Sequence, residues 1–341
     1  MTFLKGVLDM EFEKQNNLEK AVIDNDSLDL LITAFKLYDI AKMDKNVYRK
    51  DEDLKIVRHL LVLYYNLIQP DYNNMIYNFR RKYISNELLV EKNDTLEERR
   101  GLNLVYDYIQ DFDIINDPFN IFITSLQLHS LLFKPLDEKN AENIEEVRDY
   151  ANRLREEAKK EKSLQKLREA QSLLNSIQYE KFGGQLRTEA VVMRDFHAHI
   201  PEAKEAVAIF NEFLTSEKVQ EYEEKLNDTD IFAYIDYAVN TTCDLIGMQP
   251  FGDGNKRVFR SLLNLMFKKK GLPPVYISSK ERDAYHEALE KALITHDYGD
   301  LDGFYYYKLC DSIYELDFKP FLESIGKGDI EEIEEESIVA K

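Results

Sequence analysis

Residues that interrupt helices or cross-link chains are scarce in this sequence. Its 341 residues include 12 glycines and 8 prolines, while leucine, lysine and glutamate are plentiful. This balance predicts a mainly α-helical fold. Two cysteines are present, Cys243 and Cys310, each inside an apolar helical stretch. We expect two buried thiols, because this number and spacing excludes a disulfide framework and a zinc site.

Long apolar runs are also missing. No stretch reaches the roughly 18 apolar residues that a membrane-spanning helix needs. Between Met1 and Asn17, charges at Lys5, Asp9 and Glu11 interrupt the apolar core that a secretory signal requires. The sequence therefore predicts no membrane partner and a cytoplasmic location.

Positive charge is in deficit. There are 45 lysines and arginines against 64 aspartates and glutamates, which gives a formal net charge of −19. A broad nucleic-acid-binding face needs a basic footprint, so we expect no nucleic-acid partner. A single nucleotide bound in a locally basic loop is compatible with this balance. The length is sufficient to bury a substantial core and to hold two domains.

One loop in the sequence carries most of the chemistry. Two apolar, helix-like runs, Ile231 to Ile246 and Arg257 to Lys270, flank a short segment that contains Gly252 and Gly254. Glycines let the backbone approach a ligand closely. The first amides of the following helix have no internal partner, and the helix dipole is positive at that end. This arrangement predicts an anion-binding loop.

The side chains of this loop suit a polyphosphate. Asp253 is the kind of oxygen ligand that Mg²⁺ takes from a protein when phosphates supply the other ligands. Arg257 and Arg260 are three residues apart and share one helical face, so they are spaced to grip two phosphate groups. A capped helix-turn-helix that binds nucleic acid is the alternative, but the acidic balance and the glycine loop argue against it.

The segment from Met248 to Arg260 resembles the signature of the Fic (filamentation) family, HPFxDGNGRxxR. The resemblance implies a Fic-type helical core in which this loop binds a nucleotide and transfers AMP or a related group to a protein hydroxyl. ATP, Mg²⁺ and a target protein are the ligands and partner it implies. Phe251 would anchor the loop, and Asp253 would hold the metal. The implied nucleotide-binding residues are Gly252, Asp253, Gly254, Asn255, Lys256, Arg257 and Arg260.

Gln249 departs from the signature. The family has a histidine there, which takes the proton from the attacking hydroxyl, whereas glutamine can only form hydrogen bonds. Loss of a positioned general base typically costs a factor of about 10²–10⁴. We expect nucleotide binding with weak or absent transfer. The alternative function is a non-catalytic module that binds a nucleotide and holds a protein partner.

Lys256 is the second departure, since the family usually has glycine there. It resembles the death-on-curing branch, whose loop ends in Asn-Lys-Arg and which acts as a protein kinase. That branch lacks the second arginine, which this chain keeps as Arg260. Arg260 favours the nucleotidyl-transfer orientation, and a kinase is the alternative.

Glu91 stands in a segment similar to the family's regulatory helix end. The resemblance implies a contact from this glutamate to Arg260 that blocks the outer phosphates. The pattern is incomplete, because Glu87 and Lys92 replace its usual hydroxyl residue and glycine. Thr95 and Glu98 also fit an ordinary capping box. We favour the simpler interpretation of Glu91 as a surface glutamate.

Four segments are expected along the chain. They are an N-terminal helical region (1–116), a Fic core (117–325), a helical-hairpin insertion within that core (136–181) and an acidic tail (326–341). Within the insertion, apolar residues recur at helical spacing on two stretches, which predicts two long packed helices. Either the hairpin is a solvated arm, or it docks a target protein or a second copy in a homo-oligomer.

Four smaller expectations concern the surroundings of the loop. His129, on an apolar helix face, is expected to be a core histidine with its hydrogen bonds satisfied. After the Gly183 to Arg187 step, the family resemblance implies a small β-hairpin flap that pairs with the target. Its candidate residues are Ala190, Val191 and Val192. His197 or His199 is a possible substitute base from the flap side, and Tyr276 and Tyr285 are expected in the core or beside an adenine.

Overall fold

A computed structural model describes residues 25–42, 51–67, 72–92, 94–161, 163–176, 182–193 and 196–326. The expectations for Met1 to Asn17, and for all but the first residue of the acidic tail, lie outside these residues.

Helices make up most of the described residues, which confirms the prediction of a mainly α fold. In chain order they are α1 (Asn25–Lys42), α2 (Asp51–Leu67), α3 (Tyr72–Val90), α4 (Leu96–Asp111), α5 (Ile121–Glu161), α6 (Leu164–Ser176), α7 (Ala203–Asn211), α8 (Ser216–Asn227), α9 (Ile231–Met248), α10 (Asn255–Lys270), α11 (Arg282–Thr295), α12 (Gly299–Ile313) and α13 (Lys319–Ser324). In the part of the chain that the structure describes, none of these helices has the length and apolarity to span a bilayer.

The core is centred on α9 and α10, which pack against each other. Buried apolar side chains form one continuous cluster that runs from Leu28 in α1 to Leu322 in α13. In α10 almost every residue from Asn255 to Lys268 is buried. A helix enclosed on all sides gives its first turn a fixed position, so the loop that precedes it is held between two buried helices.

The N-terminal helices share this core. Tyr38 of α1 donates a hydrogen bond to Asp311 of α12 (2.7 Å), and Tyr64 of α2 donates one to Asp317. All four side chains are buried, so these bonds satisfy groups that would be costly to leave without partners. The polar contacts therefore fix α1 and α2 against the C-terminal helices.

Lysines at the end of α10 bind the ends of other helices. The ammonium group of Lys268 donates to the carbonyls of Ile109, Gln110 and Phe112 at 2.8–2.9 Å. These carbonyls end α4 and have no partner within that helix. Lys270 donates in the same way to carbonyls at the end of α8. Positive charge at a helix C-terminus is also favoured by the helix dipole.

The two helices predicted for the insertion are present, but the first is not separate from the core. α5 continues without interruption from the core through Pro135 into the insertion, and α6 packs back against it. Their contact buries small or apolar side chains outside the main cluster: Ala151, Leu154, Ala158 and Ala170. Val147 and Leu167, on the same predicted stripes, are 36% and 41% exposed, so the seam covers the stripes only in part.

The predicted β-hairpin flap is not formed by the described residues of its segment. Residues 182–193 and 196–200 run as extended chain and turns without pairing to each other. Leu186 instead forms an isolated antiparallel bridge with Phe251 of the loop. Beyond Arg187 the segment contains no Asn-Gly or other glycine dipeptide that would close a short hairpin, and Leu186 pairs with the loop instead. Ala190 and Val192 are exposed, the latter by 83%, and Val191 is half-buried.

Candidate functional site

Two residues with positive φ define the ends of the loop between α9 and α10. Gln249 ends α9 with φ of 49°, and Gly254 precedes α10 with φ of 76°. A side chain at Gly254 would be strained by that angle, and its Cβ would lie 2.7 Å from the ring of Phe133. Between them Phe251 is fully buried and stacks on His129, with ring centroids 4.1 Å apart. The prediction that Phe251 anchors the loop is confirmed.

Buried amide side chains brace the loop from inside. Asn255 accepts a hydrogen bond from the backbone N–H of Phe251 (3.0 Å) and donates to its carbonyl (2.9 Å). It also donates to Oε1 of Gln249 (3.0 Å), whose Nε2 donates to the carbonyl of Ile246 (2.6 Å). Both side chains are therefore engaged by the chain's own loop. The predicted part of Asn255 in binding a nucleotide stays a prediction.

His129 ties the loop to the segment that returns from the insertion. Its Nδ1 accepts from the backbone N–H of Gly184 (2.8 Å), and its Nε2 lies 3.2 Å from the carbonyl of Asp253. This pattern requires the tautomer with a proton on Nε2. Burial lowers the pKa of His129 to about 4, so the ring is neutral at pH 7. The prediction of a satisfied core histidine is confirmed.

Arg187 holds the loop from the same side, a role that sequence reasoning missed. Its guanidinium donates to the carbonyls of Gln249 (2.5 Å), Glu189 (3.1 Å) and Pro201 (2.6 Å). Its backbone N–H donates to the carbonyl of Pro250 (2.9 Å). The side chain is buried, and burial lowers the pKa of Arg187. Its sequence signal is an arginine close behind a Gly-Gly turn, which by itself names no partner.

The predicted metal ligand lies at the outer edge of the loop. The Asp253 side chain is 64% exposed, and its Oδ1 accepts from the backbone N–H of Gly254 (2.6 Å) and lies 3.4 Å from Nη2 of Arg257. Among the described residues, no three carboxylate, histidine or cysteine groups converge on one point that suits a metal ion. The geometry fits Mg²⁺ that arrives with a phosphate ligand, since Mg²⁺ is often held by one carboxylate plus substrate phosphates.

Arg257 contacts a carboxylate from another helix. Its Nη1 bonds Glu98 in the first turn of α4. There Thr95 accepts the backbone N–H of Glu98 (3.2 Å), which confirms the helix cap predicted at this point. Burial raises the pKa of Glu98, while the Arg257 charge opposes that rise.

Arg260 is enclosed by two carboxylates, Glu87 in the last turn of α3 and Glu91 just beyond the end of that helix. Its Nε and Nη2 donate to both oxygens of Glu87 (2.9, 3.2 and 2.6 Å), and Nη2 also donates to Glu91 (2.6 Å). The second oxygen of Glu91 lies 3.2 Å from Nζ of Lys256. The interpretation of Glu91 as a surface glutamate is therefore wrong, and the contact implied by the family resemblance is present. Its regulatory role stays a prediction.

The charge state of Glu91 follows from these contacts. Burial alone would raise the pKa of Glu91, but the charges of Arg260 and Lys256 outweigh it and lower the pKa to about 2. Glu91 is therefore ionised throughout the physiological pH range.

Aromatic side chains lie beside the same cations. The ring of Tyr285 is fully buried 5.7 Å from the Arg260 guanidinium, and Phe196 lies 5.3 Å from Nζ of Lys256. Tyr276 instead donates to Glu315 (2.9 Å), away from these residues in the described contacts. His197 and His199 are exposed, and none of the described hydrogen bonds joins either ring to the loop. Their suggested role as a substitute base stays a prediction.

Comparison with known proteins supports the Fic resemblance. No family-level sequence model matches the chain. The chain is similar to a protein adenylyltransferase Fic of Nematostella vectensis, with 31% identity over 125 residues that make up 36% of this chain and 25% of that protein. A protein adenylyltransferase Fic of Aedes aegypti is 29% identical over 112 residues, 32% of this chain and 20% of that protein. The matched region of the chain is thus similar to proteins named protein adenylyltransferase Fic. The match spans a quarter of these relatives' length or less.

Solved Fic structures resemble the chain more loosely. Fic-1 from C. elegans superposes with a TM-score of 0.44 and 16% identity, over 89% of this chain and 85% of that chain. A Fic domain-containing signaling protein from Bacteroides thetaiotaomicron gives a TM-score of 0.40 and 15% identity, over 88% and 99%.

The two departures from the Fic signature have different surroundings here. Gln249 is buried; its amide oxygen accepts a hydrogen bond from Asn255, and its amide nitrogen donates one to the carbonyl of Ile246 in α9. Lys256 is partly exposed and faces Glu91, so it adds a positive charge beside Arg260. The first change removes a titrating group from the Fic loop. The second extends the row of cations at the start of α10.

Proposed function

We propose that the loop from Gln249 to Arg260 binds a magnesium-bound adenine nucleotide and that the chain is a Fic-type nucleotidyltransferase with a weakened catalytic step. The observation that carries the proposal is the shape of the loop. Its apolar side is buried by Phe251, while the exposed carboxylate of Asp253 and the start of α10 form its outer edge. A helix N-terminus beside a carboxylate suits a phosphate with its metal ion. The names of the relatives, protein adenylyltransferase Fic, point to the same chemistry.

Each charged side chain has a distinct part in this proposal. Asp253 would hold Mg²⁺, which when bound neutralises part of the phosphate charge. Lys256 and Arg257 lie in the first turn of α10, where they add donors to the backbone amides that bind phosphate. Arg260 stands one turn further along α10, where Glu87 and Glu91 both bond its guanidinium.

Transfer requires removal of a proton from the target. The hydroxyl oxygen of the target would attack the α-phosphorus of ATP, the bond to the bridging oxygen of the β-phosphate would break, and pyrophosphate would leave. The hydroxyl proton needs an acceptor. Gln249 stands at the family's base position, but an amide does not accept a proton near neutral pH, and its oxygen already accepts from Asn255. We expect the proton to pass to solvent, and the rate to fall by a factor of about 10²–10⁴.

The hydrogen bonds of Gln249 favour a second candidate function. Because the amide is satisfied on both ends within the loop, it stabilises the binding conformation without any use in catalysis. A module that binds the nucleotide and holds a protein partner needs no more than that.

One experiment separates the two functions. Wild type and Gln249→His are incubated with Mg²⁺ and ATP that carries label on either the α- or the γ-phosphate, with the chain itself and a mixture of proteins as acceptors. Restoring a base should raise α-label incorporation by a factor of about 10²–10⁴, while Gln249→Ala should leave it low. Nucleotide affinity is measured in parallel.

Each other result has a defined meaning. Mg-ATP binding in both proteins without label transfer would replace the transferase by the binding module. Transfer of the γ-label alone would replace it by a kinase. Failure of ATP to bind with or without Mg²⁺, or binding that is unaffected by Arg257→Ala, would end the proposal of a nucleotide site.

A further inference from the structure

Glu87 makes the stronger of the two contacts to Arg260. Its carboxylate accepts from Nε and Nη2 in a bidentate arrangement, whereas Glu91 accepts a single bond from Nη2. The Glu87 side chain is 2% exposed, compared with 13% for Glu91. Paired bonds between a planar guanidinium and a carboxylate are both stronger and geometrically fixed.

The two glutamates also differ in what else they bind. Glu91 divides its oxygens between Arg260 and Lys256, so its departure would also remove a contact of that lysine. Both oxygens of Glu87 are directed to Arg260. Glu87 lies in the last turn of α3 and Glu91 lies just beyond its end, four residues later, where like charges repel each other unless a cation lies between them. Arg260 supplies that cation.

The energetic consequence follows from burial. If Glu91 swings away, Arg260 keeps its bidentate partner, and the pair stays closed off from water. If Arg260 were instead to leave Glu87, a carboxylate would remain buried without a counter-charge, which is strongly unfavourable. The Tyr285 ring closes a further side of the guanidinium.

We propose that Glu87, not Glu91, withholds Arg260 from the phosphates, and that Glu91 controls Lys256. This rests on the proposed nucleotide site. In this chain Arg260 then serves as a structural cation, and the phosphates are left to Lys256, the first amides of α10 and Arg257, which is itself bonded to Glu98. Displacement of Glu91 removes its contact with Lys256 but leaves Arg260 bonded to Glu87.

The test reads the state of Arg260 independently of any nucleotide. Phenylglyoxal modifies accessible arginines, and mass spectrometry of the intact variants measures its rate at Arg260. Glu87→Gln should raise that rate by a factor of about ten or more, since a neutral amide no longer holds the guanidinium. Glu91→Gln and the exposed control Glu142→Gln should leave it within about twofold of wild type.

Mg-ATP affinity then shows whether the bond between Glu87 and Arg260 limits nucleotide binding. Glu87→Gln should tighten binding by about tenfold, and the added change Arg260→Ala should cancel that gain. Glu91→Gln should change affinity through Lys256, so its effect should vanish in a Lys256→Ala background and persist in an Arg260→Ala background.

The outcomes are separable. A rise of about tenfold or more in the Arg260 modification rate of Glu91→Gln would overturn the proposal, whether or not Glu87→Gln folds. An unchanged modification rate in folded Glu87→Gln would also overturn it. The modification rates can also follow the expectation while no variant binds Mg-ATP. In that case Glu87 does hold Arg260, but the proposed nucleotide-binding function fails.

Discussion

Arg187 illustrates how a single buried side chain fixes the geometry of the loop. It carries a full positive charge, yet the acceptors described for its guanidinium are backbone carbonyls, at Gln249, Glu189, Pro201 and more distantly Met248. Several oriented carbonyl dipoles replace the water that the guanidinium loses on burial. The guanidinium donates to carbonyls of residues 189 and 201 and also to carbonyls at the end of α9, so it joins these two parts of the chain.

Arg187→Lys should destabilise the protein although the charge is kept. A lysine ammonium is a compact donor and cannot span the same set of carbonyls, so buried acceptors are left without partners. We expect the free energy of unfolding to fall by about 2 kcal/mol or more in urea denaturation. The exposed control Arg153→Lys should change it by less than about 0.5 kcal/mol. Coincident denaturation curves for the two variants would contradict the assigned role.

At the level of elements, α9, α10 and the turn between them could be predicted, because apolar spacing and the two glycines are local signals. The continuity of α5 could not, since Pro135 and the shift from apolar to charged residues suggested a boundary there. The flap was predicted from resemblance, and the described residues of its segment have no partner strand within it. The contacts of Glu87, Glu98 and Arg187 join residues far apart in sequence, so no local pattern indicated them.

The end of α4 depends on a lysine of α10. Lys268→Met keeps the length of the side chain but removes the donor to three terminal carbonyls. The carbonyl bonds to Ile109 and Phe112 are buried, and the one to Gln110 is partly buried. We expect a loss of about 1–3 kcal/mol in the free energy of unfolding. Hydrogen exchange should show faster opening of the last turn of α4 than of α9. Lys280→Met, at an exposed position, is the matched control, and equal effects of both changes would disprove the capping role.

At the scale of the whole molecule, the free energy of unfolding should depend on pH because His129 is neutral in the folded protein. Its pKa is about 4 in the folded protein and about 6.5 in the unfolded chain. The unfolded state therefore binds more protons between these values, and stability falls as the pH drops from 6.5 to 4. His129→Gln retains a donor and an acceptor but does not titrate. Between pH 6.5 and 4, wild type should therefore lose about 3 kcal/mol more of its unfolding free energy than His129→Gln does.

Glu91 acts in a different pH window, which allows the two to be distinguished. Its folded pKa of about 2 lies below its ordinary value of 4.5, so its stabilising contribution is complete above pH 4.5 and is lost towards pH 2. Denaturant titrations at closely spaced pH values measure both effects. Parallel curves for wild type and His129→Gln between pH 6.5 and 4 would show that the ring is not the group responsible.

Asp137 fastens the start of the insertion to its end. Its two oxygens accept the backbone N–H groups of Phe182 and Gly183, both at 2.9 Å, eight residues along α5 from the histidine that holds Gly184. The chain thus leaves and re-enters the core through a single fastened point. Residues of the insertion beyond Asp137 can therefore change in number or in type during evolution without moving the loop. By contrast, one residue gained or lost between 129 and 137 would turn the helix by about 100° and place the His129 and Asp137 side chains on different faces.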